Sequence, residues 1–208
     1  EDDGFVWLGL FEPDETELSE VQQRFGLHDL AVEDARSFHL RPKIERYEDR
    51  GVSFAVLRTA RYVDDREEVE TGEVSVFISR RFVITVRQGV ASDLHDARLR
   101  LEGRPELLKE GTGAVLWAIL DTVVDGYAPV IEGLERDVEE VEATVFSGAA
   151  APTERIYLLR REATDFYRAV HPLLGPLEAL ARGVYLEVSN ELSQFFRDVN
   201  DHLTLVNE

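Results

Sequence analysis

Three pairs of carboxylates are the residues of this chain whose types and spacing suit metal chemistry. The pairs are Glu33 with Asp34, Asp121 with Asp125, and Asp198 with Asp201. Residues three or four apart lie side by side on a helix. Hard divalent cations such as Mg2+ take oxygen ligands, keep several waters and are often held by one or two carboxylates. The pairs are therefore candidate metal ligands, although exposed acids and helix caps use the same residue types, and spacing alone does not separate the two.

The remaining sequence carries no enzyme signature. There is no glycine-rich phosphate loop after a strand, no His-Glu-x-x-His and no Gly-x-Ser-x-Gly. The chain has no cysteine, which excludes disulfides, thiolate zinc sites and cysteine nucleophiles. The dipeptides His28-Asp29 and Asp201-His202 are isolated, and nothing places a nucleophile beside a base. We therefore expect a protein that is not an enzyme.

Composition and charge narrow the class of partner. Of the 208 residues, 44% are hydrophobic and 31% are charged, which is ordinary for a folded domain. The net charge of -19 disfavours nucleic acid and anionic membranes and favours cations. No run of about 18 apolar residues is present, so we expect no membrane span or signal peptide here. The chain contains no Met, and its last helix lacks a stop signal, so we expect a fragment whose last helix continues.

The first half of the chain reads as a mixed α/β layer domain, because helical and strand patterns are interspersed. Asp14, followed three residues later by Glu17, predicts a helix start, and Gly26 predicts its end. Ser92 is expected to cap another helix. Strands are predicted at residues 5–11, 44–47, 52–63, 74–78 and 82–86, further helices at 30–37 and 92–102, and an acidic connection at 64–71.

After residue 113, apolar residues follow helical spacing in two long stretches. The first stretch ends near residue 145 and contains Pro129, which should kink the helix because proline removes a backbone donor. The second covers residues 156–180 and contains Pro172 and Pro176, where the helix is expected to break. With a turn at residues 148–152, the two stretches predict a long antiparallel hairpin.

The last helix, residues 191–208, carries an apolar seam and an acidic face. Its seam consists of Val188, Leu192, Phe196, Val199, Leu203 and Val206. These residues follow the spacing of one face of a long helix. Asp198, Asp201 and His202 lie together on a neighbouring face.

Several segments resemble the CorA family of magnesium and cobalt channels. They are FGLHDLAVED at residues 25–34 with RPKI at 41–44, and FFRDVNDH at residues 195–202, close to the family's Tyr-Phe-Arg-Asp-Val-x-Asp-His. Residues 72–78, 82–86 and 121–127 agree in the same order, so the resemblance covers essentially the whole chain. Leu40 and Gly126 depart from the residues common in the family, and neither is a proposed ligand.

The resemblance implies a fold and an assembly. The implied fold class is α+β: an α/β/α sandwich with a mixed sheet at residues 1–110, a long antiparallel helical hairpin at 111–182, and the start of a stalk helix at 183–208. Family members are pentamers around a pore, and their membrane spans follow the stalk. The chain would then be the cytoplasmic domain of an integral inner-membrane protein, contacting the membrane only through later spans. As a fragment it is expected to be a monomer or dimer.

The resemblance also implies metal sites between subunits. A regulatory Mg2+, with Co2+ as a substitute, maps onto Asp34 of one subunit and Asp198 of the next. A second position maps onto Glu33, Asp121 and His39. The bound ion would hold the ring closed when cytosolic Mg2+ is high, and its loss would favour conduction.

Three other functions stay open. A zinc transporter of the same superfamily could use imidazole ligands, although the five histidines are scattered along the chain. A structural adaptor could bind a partner through its acidic hairpin. A metal-dependent hydrolase is a weaker alternative, since it needs clustered ligands with an open position.

Overall fold

Alternating apolar residues along the central strands bury both faces of one sheet. The computed structural model describes residues 4–38, 41–89, 93–148, 152–183 and 189–208. Phe54 and Val56 contribute to the core on one side of the sheet, and Ala55 and Leu57 to the core on the other. Because helices cover both sides, the sheet is the middle layer of an α/β/α sandwich, which confirms the predicted fold class.

The sheet has five strands among the described residues, in the order β1-β5-β4-β3-β2. They are β1 (Val6–Phe11), β2 (Lys43–Tyr47), β3 (Val52–Val63), β4 (Glu68–Ile78) and β5 (Phe82–Gln88). Strand β1 pairs with β5 in parallel, and the other neighbours are antiparallel. The sheet is therefore mixed, as predicted.

Strand β4 begins six residues earlier than predicted, so half of the acidic connection expected at residues 64–71 is strand. Two glutamates of β4, one in this stretch and one just after it, pair with arginines of β3. Glu70 accepts a hydrogen bond from Arg61, and Glu73 accepts one from Arg58 at 3.1 Å. Opposite charges on facing strands stabilise the pairing. The acidic run is a strand because its charges meet partners that are distant in sequence.

Nine α-helices complete the described fold. They are α1 (Glu15–Phe25), α2 (Asp29–Arg36), α3 (His95–Glu102), α4 (Pro105–Leu108), α5 (Thr112–Asp125), α6 (Ala128–Phe146), α7 (Thr153–Val170), α8 (Leu174–Ala181) and α9 (Asn190–Asn207). Short 3-10 turns occupy Asp64–Arg66 and His171–Leu173. Helices α1 and α2 cover one face of the sheet, and the core of the other face contains residues of α3 through α9.

Helix α1 follows its predicted signals. Asp14 accepts hydrogen bonds from the backbone N–H of Thr16 and Glu17, and the Glu17 carboxylate accepts one from the Asp14 N–H, which forms a capping box. Gly26 ends the helix with φ of 65°, a conformation that glycine adopts without steric cost. The cap expected from Ser92 lies outside the described residues.

The first long helical stretch divides into α5 and α6 near Pro129. Tyr127 lies at the break and is fully buried, and its hydroxyl donates a hydrogen bond to the Arg58 carbonyl. By length and composition, the stretch Thr112–Phe146, which contains α5 and α6, is apolar enough to cross a membrane, although the sequence was expected to contain no such span. Most of its apolar window is buried in the fold, as expected for a core helix.

The second stretch breaks at its prolines, as predicted, and forms α7, a 3-10 turn and α8. Helix α9 then packs against α5 and α8 through Leu192, Phe196, Val199 and Leu203, all fully buried. Val188 and residues 149–151 of the predicted turn lie outside the described residues. One core cluster contains residues from all three predicted segments, and their boundaries at residues 110 and 182 stay predictions.

Candidate metal site

Helices α5 and α9 lie side by side and bring three aspartates together. The Trp117 and Phe195 rings lie 5.2 Å apart, and further along both helices His202 Nδ1 lies 3.5 Å from Asp125 Oδ1. The two helices therefore run in the same direction. Between these contacts, Asp198 of α9 lies close enough to Asp121 of α5 to act on it electrostatically.

Asp121 is the buried member of this group, with 7% of its surface exposed. Arg100 of α3 donates hydrogen bonds to Asp121 and, at 3.3 Å, to Asp125. Burial raises the pKa of Asp121 above 3.8, and the charges of Asp125 and Asp198 also raise it, against the lowering effect of Arg100. The site therefore gathers more negative charge than Arg100 neutralises.

Asp198 is exposed on the outer surface of α9, as is Asp201. Neither carboxylate has a hydrogen bond or an ion pair with another described residue. Asp198 therefore offers unshared oxygens next to the partly neutralised Asp121. A hydrated divalent cation needs such oxygens, and water can supply the rest of its ligands.

Glu33 and Asp34 lie on α2, on the opposite face of the sheet. Glu33 is exposed, and Asp34 is half-buried and accepts a hydrogen bond from Lys43 Nζ at 2.6 Å. Lys43 also contacts Glu45 at 2.9 Å. Burial opposes the charge on Lys43, but the hydrogen bonds to Asp34 and Glu45 outweigh it and raise the pKa of Lys43. Asp34 is thus already paired with the ammonium group of Lys43.

The two sets of predicted ligands do not meet within one chain. The sheet separates Glu33 and Asp34 from Asp121 and Asp198, and His39 lies outside the described residues. Within the part of the chain that the structure describes, no group of three or more His, Asp or Glu side chains is placed to hold a metal. A site that uses both sets needs a second chain.

Sequence reasoning missed both cations that face these carboxylates. Lys43 lies in the RPKI segment that carries the resemblance, so its position was a usable signal. Arg100 is 21 residues from Asp121 and lies on a different helix, so no local spacing indicates the contact.

The architecture, an α/β/α layer with a helical hairpin and a long last helix, is the fold of the soluble domain of a CorA transporter. The solved structure of the soluble domain of CorA from Methanocaldococcus jannaschii matches with a TM-score of 0.79 at 18% identity. The match covers 98% of this chain and 80% of that chain. At this identity it establishes the fold.

The chain belongs to the family described as CorA-like Mg2+ transporter protein, whose family model matches residues 2–208. It is 27% identical to YfjQ of Bacillus subtilis (strain 168), covering 100% of this chain and 63% of that protein. It is also 27% identical to the cobalt/magnesium transport protein CorA of Thermotoga maritima, covering 95% of this chain and 56% of the relative. The chain thus spans about three fifths of the length of these relatives.

Proposed function

We propose that the chain is the cytosolic regulatory domain of a divalent-cation channel of the inner membrane, which conducts Mg2+ and also Co2+. In this proposal the full-length protein is a pentamer, and the domain senses intracellular Mg2+ at carboxylates between subunits. The family assignment over residues 2–208 supports the transporter class. The metal-sensing role rests on the geometry of the acidic residues.

The observation that carries the sensing role is the exposed, unshared carboxylate of Asp198 beside buried Asp121. The two helices bring together more acids than Arg100 can neutralise, so a mobile cation is stabilised there. All of the candidate ligands in the described residues are oxygens, which Mg2+ prefers, whereas zinc sites in proteins are built mainly from imidazole and thiolate.

A shared site explains why the acids lie on two separate surfaces. Asp34 and Glu33 of one subunit would face Asp198 and Asp121 of the next. Because Lys43 already neutralises Asp34, an incoming ion competes with an ammonium at that surface. Because of this competition, Mg2+ binds only when its concentration is high, as a sensor of an abundant ion requires.

Gating then follows from electrostatics at the boundary. Facing carboxylates repel one another when water is partly excluded, and an intervening Mg2+ reverses the sign of the interaction. The closed, symmetric ring binds the ion better than open states do, so high Mg2+ shifts the population toward the closed ring. Loss of the ion releases the boundary and favours conduction.

The test uses full-length protein in liposomes, with cation uptake measured against Mg2+ on the domain side. We expect Asp198→Asn and Asp34→Asn each to raise the half-inhibitory Mg2+ concentration at least about fivefold. Asp65→Asn is the matched control, since Asp65 is an exposed acid on a 3-10 turn away from both surfaces. Wild-type inhibition in both site variants would refute the proposed sensor.

A further inference from the structure

Five arginines line one pocket at an end of the sheet, in a chain whose net charge is -19. They are Arg24, Arg46, Arg50, Arg80 and Arg81. None of the described residues that line the pocket is acidic. The pocket has a volume of about 590 Å3, within the range of small-molecule sites. The local charge is thus opposite to that of the whole chain.

Three separate chain segments build the pocket. Arg24 lies in the last turn of α1, Arg46 and Arg50 lie at the end of β2 and in the following turn, and Arg80 and Arg81 form the turn between β4 and β5. The two turns lie at the same end of the sheet because β3 and β4 are antiparallel neighbours. The arginines converge only through the fold.

Little within the described chain neutralises these arginines. Arg50 lies 3.6 Å from Asp49, in a pair that is more than half exposed and therefore weak. Arg24, Arg46, Arg80 and Arg81 make no ion pair with a described residue. Moreover, the Arg46 Nε is buried and lacks a hydrogen-bond partner among the described residues. Clustered like charges and an unmet buried donor both cost stability, which a bound anion would recover.

The wall beside the arginines is aromatic and apolar. The rings of Phe25 and Phe82 meet edge to face, with centroids 5.0 Å apart, and both are half-buried at the pocket. Buried Val52 completes this wall. The pocket therefore combines a polycationic rim with a surface against which a flat, apolar group packs.

We propose that this pocket binds a soluble, phosphate-rich small molecule of the nucleoside di- or triphosphate class. An arginine guanidinium donates paired hydrogen bonds to phosphate oxygens. Several arginines together therefore favour a di- or triphosphate group over a single phosphate. The base would pack on the Phe25 and Phe82 wall. This site is separate from the acidic metal surfaces and does not depend on their role.

Calorimetric titration of the chain with ATP, in metal-free low-salt buffer, tests the proposal. Removing metal matters because ATP chelates Mg2+ and would otherwise report on the acidic sites. We expect saturable binding of ATP, weaker binding of tripolyphosphate and much weaker binding of inorganic phosphate. Arg46→Gln and Arg81→Gln should each weaken ATP binding about tenfold or more, since each removes charge-assisted hydrogen bonds.

Arg160→Gln is the matched control, because Arg160 is exposed on α7 and its removal changes the net charge equally. If a pocket variant folds poorly, Arg80→Gln, in an exposed turn, gives the same test. Absence of saturable ATP binding, or an equal loss in Arg160→Gln, would overturn the proposal. Binding to phosphoinositide vesicles without binding to free ATP would overturn it in favour of a lipid headgroup.

Discussion

Replacing Arg100 by glutamine should lower the free energy of unfolding, because it removes the cation that faces the acidic site. Arg100 contacts both Asp121 and Asp125, and Asp198 adds a third carboxylate nearby. The substitution leaves these acids without their cation, while Asp121 stays buried. The folded state should therefore lose stability, and the loss should depend on the charge of Asp121.

The burial of the two partners sets the size of the loss. Breaking a fully buried ion pair by removing one partner costs about 3–5 kcal/mol. The Asp121 side chain is 9% exposed, but the Arg100 side chain is 35% exposed, so solvent screens part of the interaction. We therefore expect a loss of about 2–3 kcal/mol for Arg100→Gln at neutral pH.

Arg98→Gln is a matched control on the same helix. Arg98 pairs with Glu102 at 2.7 Å, but both side chains are more than half exposed. An exposed pair one turn apart contributes about 0.3–0.5 kcal/mol. The two variants remove the same charge from α3, so their difference isolates the buried carboxylate.

Urea unfolding between pH 4 and 7 provides the assay. The raised pKa of Asp121 means that the native state binds more protons than the unfolded chain, from 3.8 up to the native pKa. Stability contributed by this group is therefore present at low pH and lost as pH rises through the native pKa. Without Arg100 the native pKa rises further, so the deficit of Arg100→Gln should grow from acid toward neutral pH.

The double variant Arg100→Gln with Asp121→Asn tests whether the charge of Asp121 causes the loss of stability. Removing the buried charge should recover most of the loss and flatten its pH dependence. Arg100→Gln within about 0.5 kcal/mol of the wild type at neutral pH would refute the reasoning. So would a deficit that Asp121→Asn does not relieve.

Two further predictions concern the packing of Gly133 against Tyr62 and the competition between Lys43 and Mg2+ for Asp34. Gly133→Ala should destabilise the chain by about 1–3 kcal/mol in urea unfolding, because the added Cβ would lie 2.6 Å from Cγ of the Tyr62 ring. In a Tyr62→Ala background the same change should be neutral or stabilising, and an unaltered cost there would contradict the clash. Lys43→Gln in the full-length protein should lower the half-inhibitory Mg2+ concentration several-fold, since it removes the cation that competes for Asp34. Lys109→Gln, at the other lysine, should leave inhibition unchanged, and an equal shift in both would indicate a general charge effect.

Local structure was largely predictable from the sequence. The capping residues Asp14 and Glu17 and the terminating Gly26 define α1, because each acts through hydrogen bonds or dihedral angles of neighbouring residues. The apolar spacing of the last helix likewise predicted its buried side, including Phe196 and Leu203. The motif around Asp198 indicated the family that the matched residues then established.

The start of β4 was not predictable by the same means. The glutamates before Glu73 predict an exposed connection when only residues nearby in the sequence are considered. Strand pairing places Arg58 and Arg61 opposite Glu73 and Glu70 and so supplies the missing charges. A local rule cannot anticipate partners that only the sheet brings into register.

The sequence alone therefore determined the ends of α1, the apolar face of the last helix and the family, all of which depend on near neighbours or on ordered motifs. Tertiary structure alone decided the electrostatics. It placed Arg100 on Asp121, put the sheet between Asp34 and Asp198, and gathered five arginines from three segments into one pocket. Charge interactions act through space, so their strength and sign depend on distances and burial that the order of residues does not contain.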